Sequence, residues 1–487
     1  MHIKTLNRVQ TIRETGSLSS FVQDAWHVVE PSTLYIGNWH IDAICEHLEA
    51  VSAGQIRNLV INMPPRHMKS LLVSVFWPCW EWTIHPQRRW IFASYAQSIA
   101  NRDSVKCRRL IDSPWYQNLY GDIYQLTSDQ NQKMRFDNDK TGCRLSTSVG
   151  GIGTGEGGDR VVVDDPHRVS DAESRANRTN TLEWWDETMS SRCNDPKTSA
   201  RVIVMQRVHE KDLTGHVLHQ GGYDHLCLPA EYEGSTKLTS IGWPDPRTKI
   251  GELICERRYG PGELAELKLR LGSRAASAQL QQRPSPAEGA IFKLKWFENT
   301  YADLPIFDRI ATFWDTAVKA NEDSDETACL TLGVTPAGDS YVLRLHHGKW
   351  ETPDVAAFLV KEATRYKSRF GKTYHGDYVE DKVSGSTLLQ YICRTNRELV
   401  VRPINVESDK ISRAHGVTPL CEAGRVLLPN TEKKPETKQW VDDLLANITT
   451  FPAAANDDIT DVFVYAIKWS MQPTPQPRPR SRRGGFV

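Results

Sequence analysis

Short runs of apolar, mainly β-branched residues recur through the first half of the chain. They read RNLVINM (57–63), RRWIFASY (88–95), DRVVVDD (159–165) and ARVIVMQR (200–207), and each run is apolar on both faces of an extended strand. Segments suited to helices, such as SIANRDSVKCRRLIDS (98–113), lie between them. Strands that are buried on both faces and alternate with helices indicate a mostly parallel α/β sheet.

The second half of the chain has a different order of elements. The pattern predicts three consecutive strands, a helix near 353–369, a further strand and a last helix. The strand segments are RIATFWD (309–315), TACLTLGV (327–334), SYVLRLHHGKW (340–350) and YHGDYVE (374–380), and the last helix is predicted over 457–469. Three strands, a helix and a strand form the opening order of an RNase H-like fold.

A stretch rich in Gly, Pro and charged residues separates the two halves. We predict a first α/β domain over 1–235, a linker or small subdomain over 236–288 with a helix near 262–282, and a second domain over 289–470. Residues 471–487 are Pro-rich and basic, and they are expected to form a disordered tail.

Bulk properties narrow the class of protein. The chain has 487 residues and a formal net charge of zero, so a nucleic-acid surface would have to be a local patch. We find no apolar run long enough for a membrane span and no apolar core of a signal peptide near the N-terminus. The ten cysteines include no C-x-x-C pair, which favours neither a zinc site nor a disulfide framework and is consistent with a reducing cytoplasm.

The segment INMPPRHMKS (61–70) is similar to half of a phosphate-binding loop. Lys69 and Ser70 follow an apolar strand and precede an apolar helical run, as in a P-loop, where Lys neutralises phosphates and Ser ligates Mg²⁺. Arg66 adds a second cation. However, Met63 and Met68 occupy the positions of the glycines. The alternative is a strand that runs into a helix with a solvated lysine.

Two further strand ends carry polar residues. Asp164 and Asp165 end the run VVVDD, where an acid can hold Mg²⁺ or orient an attacking water. Gln206 and Arg207 end the run VIVMQR and could sense a γ-phosphate. Taken alone, the two aspartates could equally form a solvated turn before Pro166. The three strand ends together favour a nucleotide site.

Acidic residues in the second half form another pattern. Asp315 and Glu380 end predicted strands, and Asp457, Asp458 and Asp461 open the last helix, the latter two on one helical face. Carboxylates from distant parts of a chain fit a site with two Mg²⁺ or Mn²⁺ ions that cleaves a phosphodiester. Each acid alone is as well explained by a strand-end cap or by the helix dipole.

With both patterns in place, the chain closely resembles the large terminase subunit of tailed bacteriophages, the motor that packages DNA. The resemblance extends through nearly the whole chain. It is carried by WHIDAICEHLEAV, INMPPRHMKS, VVVDDPHRVSDAES, MQRVHEKDLTG, AQLQQRPSPAEGAIFK, FWDTA, VEDKVSGSTLLQ and NDDITDVFVYAI. The resemblance implies an N-terminal P-loop motor ATPase with a mostly parallel sheet and a C-terminal RNase H-like nuclease domain.

The resemblance also implies roles for individual residues. Nucleotide binding is expected at Trp39, His40, Arg66, His67, Met68, Lys69, Ser70, Asp164 and Gln206. Mg²⁺ of the ATPase would be held by Ser70 and Asp164, with Arg66 and Asp165 catalytic and Arg207 in the coupling motif. Nuclease metals are expected at Asp315, Glu380, Asp457, Asp458 and Asp461, of which Asp315, Glu380 and Asp458 are catalytic. Arg144 and Arg160 are candidates for an arginine finger, although either could instead form a salt bridge.

The implied function is ATP-driven translocation of double-stranded viral DNA into a procapsid, with metal-dependent cutting of concatemeric DNA. The implied partners are double-stranded DNA, the portal protein, the small terminase subunit and further copies of the chain in a ring, in the host cytoplasm. Two alternatives remain at this point. One is an ATP-dependent helicase–nuclease that acts on free DNA, and the other is a non-catalytic DNA-binding scaffold.

Overall fold

Eight strands of the N-terminal unit, Met1–Pro286, form one sheet. The computed structural model describes residues 16–151, 155–234, 237–284, 291–316, 326–380, 392, 394–396, 398–406, 409–452 and 457–473. The strands of this sheet are β1 (Asn58–Asn62), β2 (Arg89–Ser94), β3 (Leu126–Asn131), β4 (Arg135–Asn138), β5 (Cys143–Ser148), β6 (Arg160–Asp164), β7 (Ala200–Met205) and β8 (Asp224–Cys227).

The strand order is β3-β4-β5-β2-β6-β7-β1-β8. Pairing is parallel from β5 to β8 and antiparallel where β3 and β4 extend the edge. The prediction of a mostly parallel α/β sheet is therefore confirmed. Helices surround this sheet, and they span Leu18–Val29, Trp39–Ser52, Lys69–Leu71, Trp77–Ile84, Gln97–Ile111, Pro114–Tyr120, Arg175–Glu183, Leu213–Gln220 and Pro261–Gln279.

The sheet is covered on both faces, which explains its unbroken apolar strands. Leu59 and Ile61 of β1 pack into one hydrophobic core, whereas Val60 between them packs into another. Alternate residues of a strand point to opposite faces, so only a sheet sandwiched between helices buries all of them.

The C-terminal unit, Ala287–Val487, contains a second sheet. Its strands are β9 (Thr300–Tyr301), β10 (Arg309–Asp315), β11 (Thr327–Val334), β12 (Ser340–Gly348), β13 (Tyr374–Glu380), β14 (Val401–Ile404) and β15 (Val426–Pro429), in the order β14-β13-β10-β11-β12-β15-β9. Its helices include Thr352–Phe370, Lys410–Glu422, Lys438–Thr450 and Asp458–Ser470. β10, β11 and β12 form the predicted antiparallel meander, and β13 returns parallel to β10.

The two faces of β10 belong to different cores. Phe313 packs with the last helix, Asp458–Ser470, whereas its neighbour Trp314 packs with the helix Thr352–Phe370. The strands and helices predicted for this half are confirmed within one or two residues. The four predicted domain ranges stay predictions, and most of the predicted tail, residues 474–487, lies outside the described residues.

Within the ranges that the structure describes, no helix is long and apolar enough to cross a membrane. The described cysteines are all free thiols.

A fully buried ion pair joins a helix to the sheet of the N-terminal unit. Glu81 Oε1 accepts a hydrogen bond of 2.7 Å from Arg160 Nη2, and the two side chains are 0% and 1% exposed. We expect Glu81→Ala to lower the free energy of unfolding by about 3–5 kcal/mol in urea titrations, because it leaves a guanidinium buried without its counter-charge. Glu266→Ala, which removes an exposed pair with Arg270, is the control and should cost less than about 1 kcal/mol. Equal losses would contradict this reading.

A buried acid in the C-terminal unit makes its stability depend on pH. Burial raises the pKa of Asp377 from 3.8 to about 7, although Trp314 Nε1 and the Tyr374 hydroxyl donate to it. Between these values the folded state holds a proton on Asp377 that the unfolded state has lost, so the contribution of Asp377 to stability falls as pH rises and changes little further above about 7. In the parent, this contribution to the free energy of unfolding should decline between pH 4 and 8. We expect Asp377→Asn to remove this decline, on the order of 2 kcal/mol, as measured by denaturant titrations. The exposed Asp442→Asn should retain the parent slope, and a parent slope in Asp377→Asn would contradict the assignment.

Candidate functional site

The loop after β1 has two left-handed residues just before a helix, although it lacks the glycines of a P-loop. Arg66 and Met68 both have positive φ, 67° and 70°, and the helix that follows begins at Lys69. Glycine is common in P-loops because it reaches such angles without steric cost, whereas here two non-glycine residues adopt them. The loop therefore presents a helix N-terminus to the carboxyl edge of the sheet, where backbone N–H groups can bind an anion.

Lys69 reaches across the edge of the sheet to the acidic strand end. Its ammonium forms an ion pair with Asp165 Oδ2, and its side chain is buried. β7 lies between β1 and β6, and the backbone N–H of Gln206, immediately after β7, donates to Asp165 Oδ1 at 3.1 Å. The Asp165 carboxylate thus connects the ends of β1, β6 and β7, the three strand ends that the sequence predicted to form one nucleotide site.

Asp164 is the buried member of the acidic pair. Burial, together with the negative charge of Asp165, raises the pKa of Asp164 to about 7, and Lys69 and the Ser70 hydroxyl act against this rise. Ser74 donates to Asp164 Oδ2 at 3.3 Å. Ser70 and Asp164 are close neighbours, and a hydroxyl beside a carboxylate is a donor set suited to Mg²⁺.

A cleft of about 950 Å³ opens over these groups. Most of the predicted nucleotide-site residues line this cleft: Arg66, Met68, Lys69, Ser70, Asp164, Asp165 and Gln206. Its volume is that of a site for a nucleotide-sized ligand. The structure therefore brings the phosphate-loop residues and the acidic strand end into one cleft.

Three predicted nucleotide contacts do not line this cleft. His67 and His40 are buried with ring centroids 5.8 Å apart, and burial lowers the pKa of both rings. Trp39 stacks on Trp243 with the Arg247 guanidinium over its ring. In this arrangement the three side chains pack against other aromatic and basic side chains, and their predicted contact with the nucleotide stays a prediction.

The two arginine-finger candidates are both interior residues. Arg144 is buried with its guanidinium over the Phe92 ring and donates to Ser74 O at 3.0 Å. Arg160 forms the buried ion pair with Glu81. Arg160 therefore forms a salt bridge, the alternative that the sequence left open, whereas Arg144 is held by hydrogen bonds and by the Phe92 ring. A role of either residue as an arginine finger stays a prediction. Arg207 is held by Asp212, with its Nε 3.0 Å from both carboxylate oxygens.

Other residues that line the cleft were not predicted from the sequence: Tyr95, Arg102, Asp103, Arg168 and Arg258. A signal was available for the first, because Tyr95 follows β2, the neighbour of the acidic strand β6. The others belong to helices and loops whose approach to the cleft depends on tertiary packing. Arg168 does lie in the quoted motif VVVDDPHRVSDAES, but no period or motif marks the other three.

In the C-terminal unit, Asp315 and Glu380 end adjacent parallel strands. Trp314 pairs with Val379 in the β10–β13 register, so the two acids occupy the next positions along the sheet. They share a face with Phe313 and Tyr378, which stack at 5.2 Å and contact Trp469 of the last helix. Both carboxylates are buried on the face that this helix covers.

The last helix brings its acids to the same edge. Asp458 Oδ2 accepts from the backbone N–H of Glu326 at 3.0 Å, just before β11, and β11 pairs with β10 at Asp315. Tyr465 lies one turn after Asp461 in this helix. Burial raises the pKa of Tyr465, and the negative charges of Asp461, Glu380 and Asp315 raise it further. The helix thus positions Asp458 and Asp461 beside the strand-end acids.

The three aspartates of this helix have different partners. Asp461 forms ion pairs with Arg413 at 2.8 Å and Lys410 at 2.9 Å, and Asp457 pairs with Lys410 at 2.6 Å. Asp458 accepts the backbone N–H described above. A metal ion at Asp457 or Asp461 would have to compete with these cations, and the metal-binding roles of all three aspartates stay predictions.

Across the described ranges, no group of three or more His, Cys, Asp or Glu side chains is arranged to hold a metal ion. The donor chemistry nevertheless fits Mg²⁺ or Mn²⁺, because Asp315, Glu380 and Asp458 are buried carboxylates at one sheet edge. The acids thus lie together at one edge of the sheet, but in this arrangement their side-chain oxygens do not surround a common point.

The geometry agrees with what comparisons with known proteins found. Residues 312–468 match the model of the terminase RNase H-like domain. The C-terminal unit contains a terminase RNase H-like domain. This match includes the predicted nuclease acids, from Asp315 to Asp461. A search of curated proteins found no match.

Solved structures extend the likeness to the N-terminal unit. The large terminase of a thermophilic bacteriophage aligns with a TM-score of 0.53 at 10% identity, over 87% of this chain and 98% of that chain. The same phage protein in complex with ATP-γ-S aligns with a TM-score of 0.51 at 10% identity, over 86% and 98%. The chain therefore has the fold of a phage large terminase, and the predicted resemblance to the terminase large subunit is confirmed.

Substitutions at Met68 test whether the loop requires its left-handed backbone. We expect Met68→Gly to keep parent stability within about 1 kcal/mol, because glycine adopts a φ of 70° freely. Met68→Ile should cost about 1–2 kcal/mol and weaken binding of Mg²⁺·ATPγS about tenfold, since a β-branched side chain disfavours that angle. Thermal unfolding and calorimetric titration measure the two effects. Equal affinity of the two variants would show that the loop does not need this conformation.

Proposed function

We propose that this protein is a DNA-packaging motor that couples ATP hydrolysis to translocation of double-stranded viral DNA into a procapsid and cuts concatemeric DNA. The observation that supports the proposal is that one chain carries two candidate sites. In its first unit Lys69, in the loop after β1, pairs with Asp165 of the acidic strand end, and its second unit contains the match to the terminase RNase H-like domain, with acids at one sheet edge.

In the first site, the backbone N–H groups of the loop and the Lys69 ammonium bind the β- and γ-phosphates. Arg66 is exposed in the same loop and lines the cleft, where it adds positive charge beside the phosphates as negative charge develops on the departing ADP. Ser70 and Asp164 would hold Mg²⁺, which screens the phosphate charge when bound. Asp165 lies at the surface of the cleft and orients the attacking water.

In the second site, Asp315, Glu380 and Asp458 would hold the divalent ions, which activate water and stabilise the leaving oxygen of a phosphodiester when bound. Asp461 positions Lys410, a partly exposed cation suited to a DNA phosphate, beside these acids, and its second partner, Arg413, is buried. Contacts to DNA phosphates make binding fall as salt rises.

The proposed partners follow from the same activity. Double-stranded DNA is moved by the motor and cut by the nuclease site, and translocation into a capsid requires the portal protein and a ring of copies of this chain. The small terminase subunit would select the DNA, and the host cytoplasm is where these components meet.

Two substitutions separate the sites in the purified full-length protein. Lys69→Ala should reduce ATP hydrolysis at least about 100-fold, because it removes the buried cation of the loop, and should leave nuclease activity intact. Asp315→Ala should reduce Mg²⁺- or Mn²⁺-dependent cleavage of plasmid DNA by a similar factor and leave ATPase activity intact.

Exposed residues provide matched controls: Lys140→Ala and Asp442→Ala remove surface charges outside both sites and should match the parent in both assays. If Lys69→Ala and Asp315→Ala also match the parent, both site assignments are wrong. A helicase–nuclease would additionally separate the strands of a free duplex in the presence of ATP, whereas a packaging motor should not.

A further inference from the structure

Gln282, in the segment QQRPSP (281–286) that the sequence singled out, lies against the end of β7. The backbone N–H of Arg207 donates to Gln282 Oε1 at 2.9 Å. The preceding N–H, that of Gln206, donates to Asp165 Oδ1. Of these two consecutive amides after β7, the first therefore binds Asp165 of the candidate nucleotide site, and the second binds Gln282, which is remote in sequence.

Gln282 is built into this position. Its side chain is buried, and its Nε2 donates to the carbonyl oxygens of Gln279 and Leu280 at the end of the helix Pro261–Gln279. Its own φ is 56°, an angle that non-glycine residues rarely adopt. A non-glycine residue with positive φ has an unfavourable backbone conformation. It is expected where a specific contact, such as the buried hydrogen bonds of this amide, outweighs that free-energy cost.

The neighbouring Gln281 contacts a different part of the unit. It exchanges hydrogen bonds with the backbone of Glu231, accepting at 3.0 Å and donating at 3.1 Å. Within the described residues, Gln282 is the last buried side chain before the N-terminal unit ends at Pro286. The two adjacent glutamines therefore offer a matched pair, one bonded to the strand end and one bonded elsewhere.

Asp165 links these contacts to the nucleotide. Its Oδ2 is paired with Lys69, whose ammonium is attracted to phosphates when ATP occupies the loop. Asp165 then loses a cation while its Oδ1 still accepts from Gln206. The dipeptide Gln206–Arg207 therefore has different surroundings in the nucleotide-free and ATP-bound states. A ligand can shift a conformation only if its contacts differ between the two states in this way.

We propose that Gln282 is a positioning residue that transmits the state of the nucleotide site, through the Gln206–Arg207 backbone, to the segment at the end of the N-terminal unit. The proposal rests on the ATPase part of the proposed function and deepens it. Gln282 does not touch nucleotide in this role. It holds the strand end to the segment that continues into the C-terminal unit.

Hydrogen–deuterium exchange of the full chain, with and without Mg²⁺·ATPγS, tests this relay. In the parent, nucleotide should change exchange in peptides covering 63–70, 203–212 and 276–284, by about fivefold in the last. Gln282→Ala should keep the first two changes and lose the third, whereas Gln281→Ala should keep all three. Gln282→Glu retains an acceptor for the Arg207 N–H and should keep at least part of the third change.

A steady-state assay gives a second readout. Gln282→Ala should lower kcat for ATP about fivefold with KM within about twofold of the parent, because the residue orients the strand end and does not contact substrate. The relay would be overturned if the nucleotide-dependent change in exchange at 276–284 persisted in Gln282→Ala, or if Gln281→Ala lost it equally. A parent that responds at 63–70 but not at 276–284 would do the same and leave the ATPase proposal standing. A parent that responds nowhere would end both.

Discussion

Neighbouring parallel strands end at the same edge of their sheet, and both candidate sites depend on this constraint. In the first unit it brings the loop after β1, the amides after β7 and the acids of β6 together, although they come from three distant parts of the chain. In the second unit the parallel pair β10–β13 does the same for Asp315 and Glu380. Because the strands are buried on both faces, polar side chains at their ends are confined to this edge.

Electrostatics then determines how the acids can be tolerated there. Four carboxylates are compensated by a nearby cation, hydroxyl or backbone donor: Lys69 for Asp165, Ser74 for Asp164, Arg413 for Asp461 and a backbone amide for Asp458. Buried charges without such partners would be costly. A phosphate would engage Lys69, and a divalent ion would engage the carboxylates themselves, so either ligand would have to compete with the ion pairs seen here.

Much of the fold was predictable, because it follows from local patterns. Short apolar runs predicted β1, β2, β6, β7 and the strands from β10 to β13, and the ends of those runs identified Lys69, Asp164, Asp165, Asp315 and Glu380. Even Met68, which breaks the glycine pattern, adopts the angle that glycine would. Strand ends are predictable because a change from apolar to polar residues marks the point where the chain leaves the core.

The rest depends on contacts between residues distant in sequence. Arg144 and Arg160 look like available cations in the sequence, but their strands place them in the interior. Trp39 and His40 lie upstream of the loop in sequence, and they pack against Trp243 and His67. No single-sequence pattern reports which face of a loop its neighbours occupy, so these assignments required coordinates.

The central claim is that one chain holds a nucleotide site and a separate metal-binding nuclease site. A crystal structure of the full chain with ATPγS and Mn²⁺, with anomalous scattering used to locate manganese, tests it most directly. The account predicts triphosphate density against the backbone N–H groups of residues 66–70, and an anomalous peak at Asp315, Glu380 and Asp458. Nucleotide bound away from Lys69, or manganese bound away from all three acids, would contradict it.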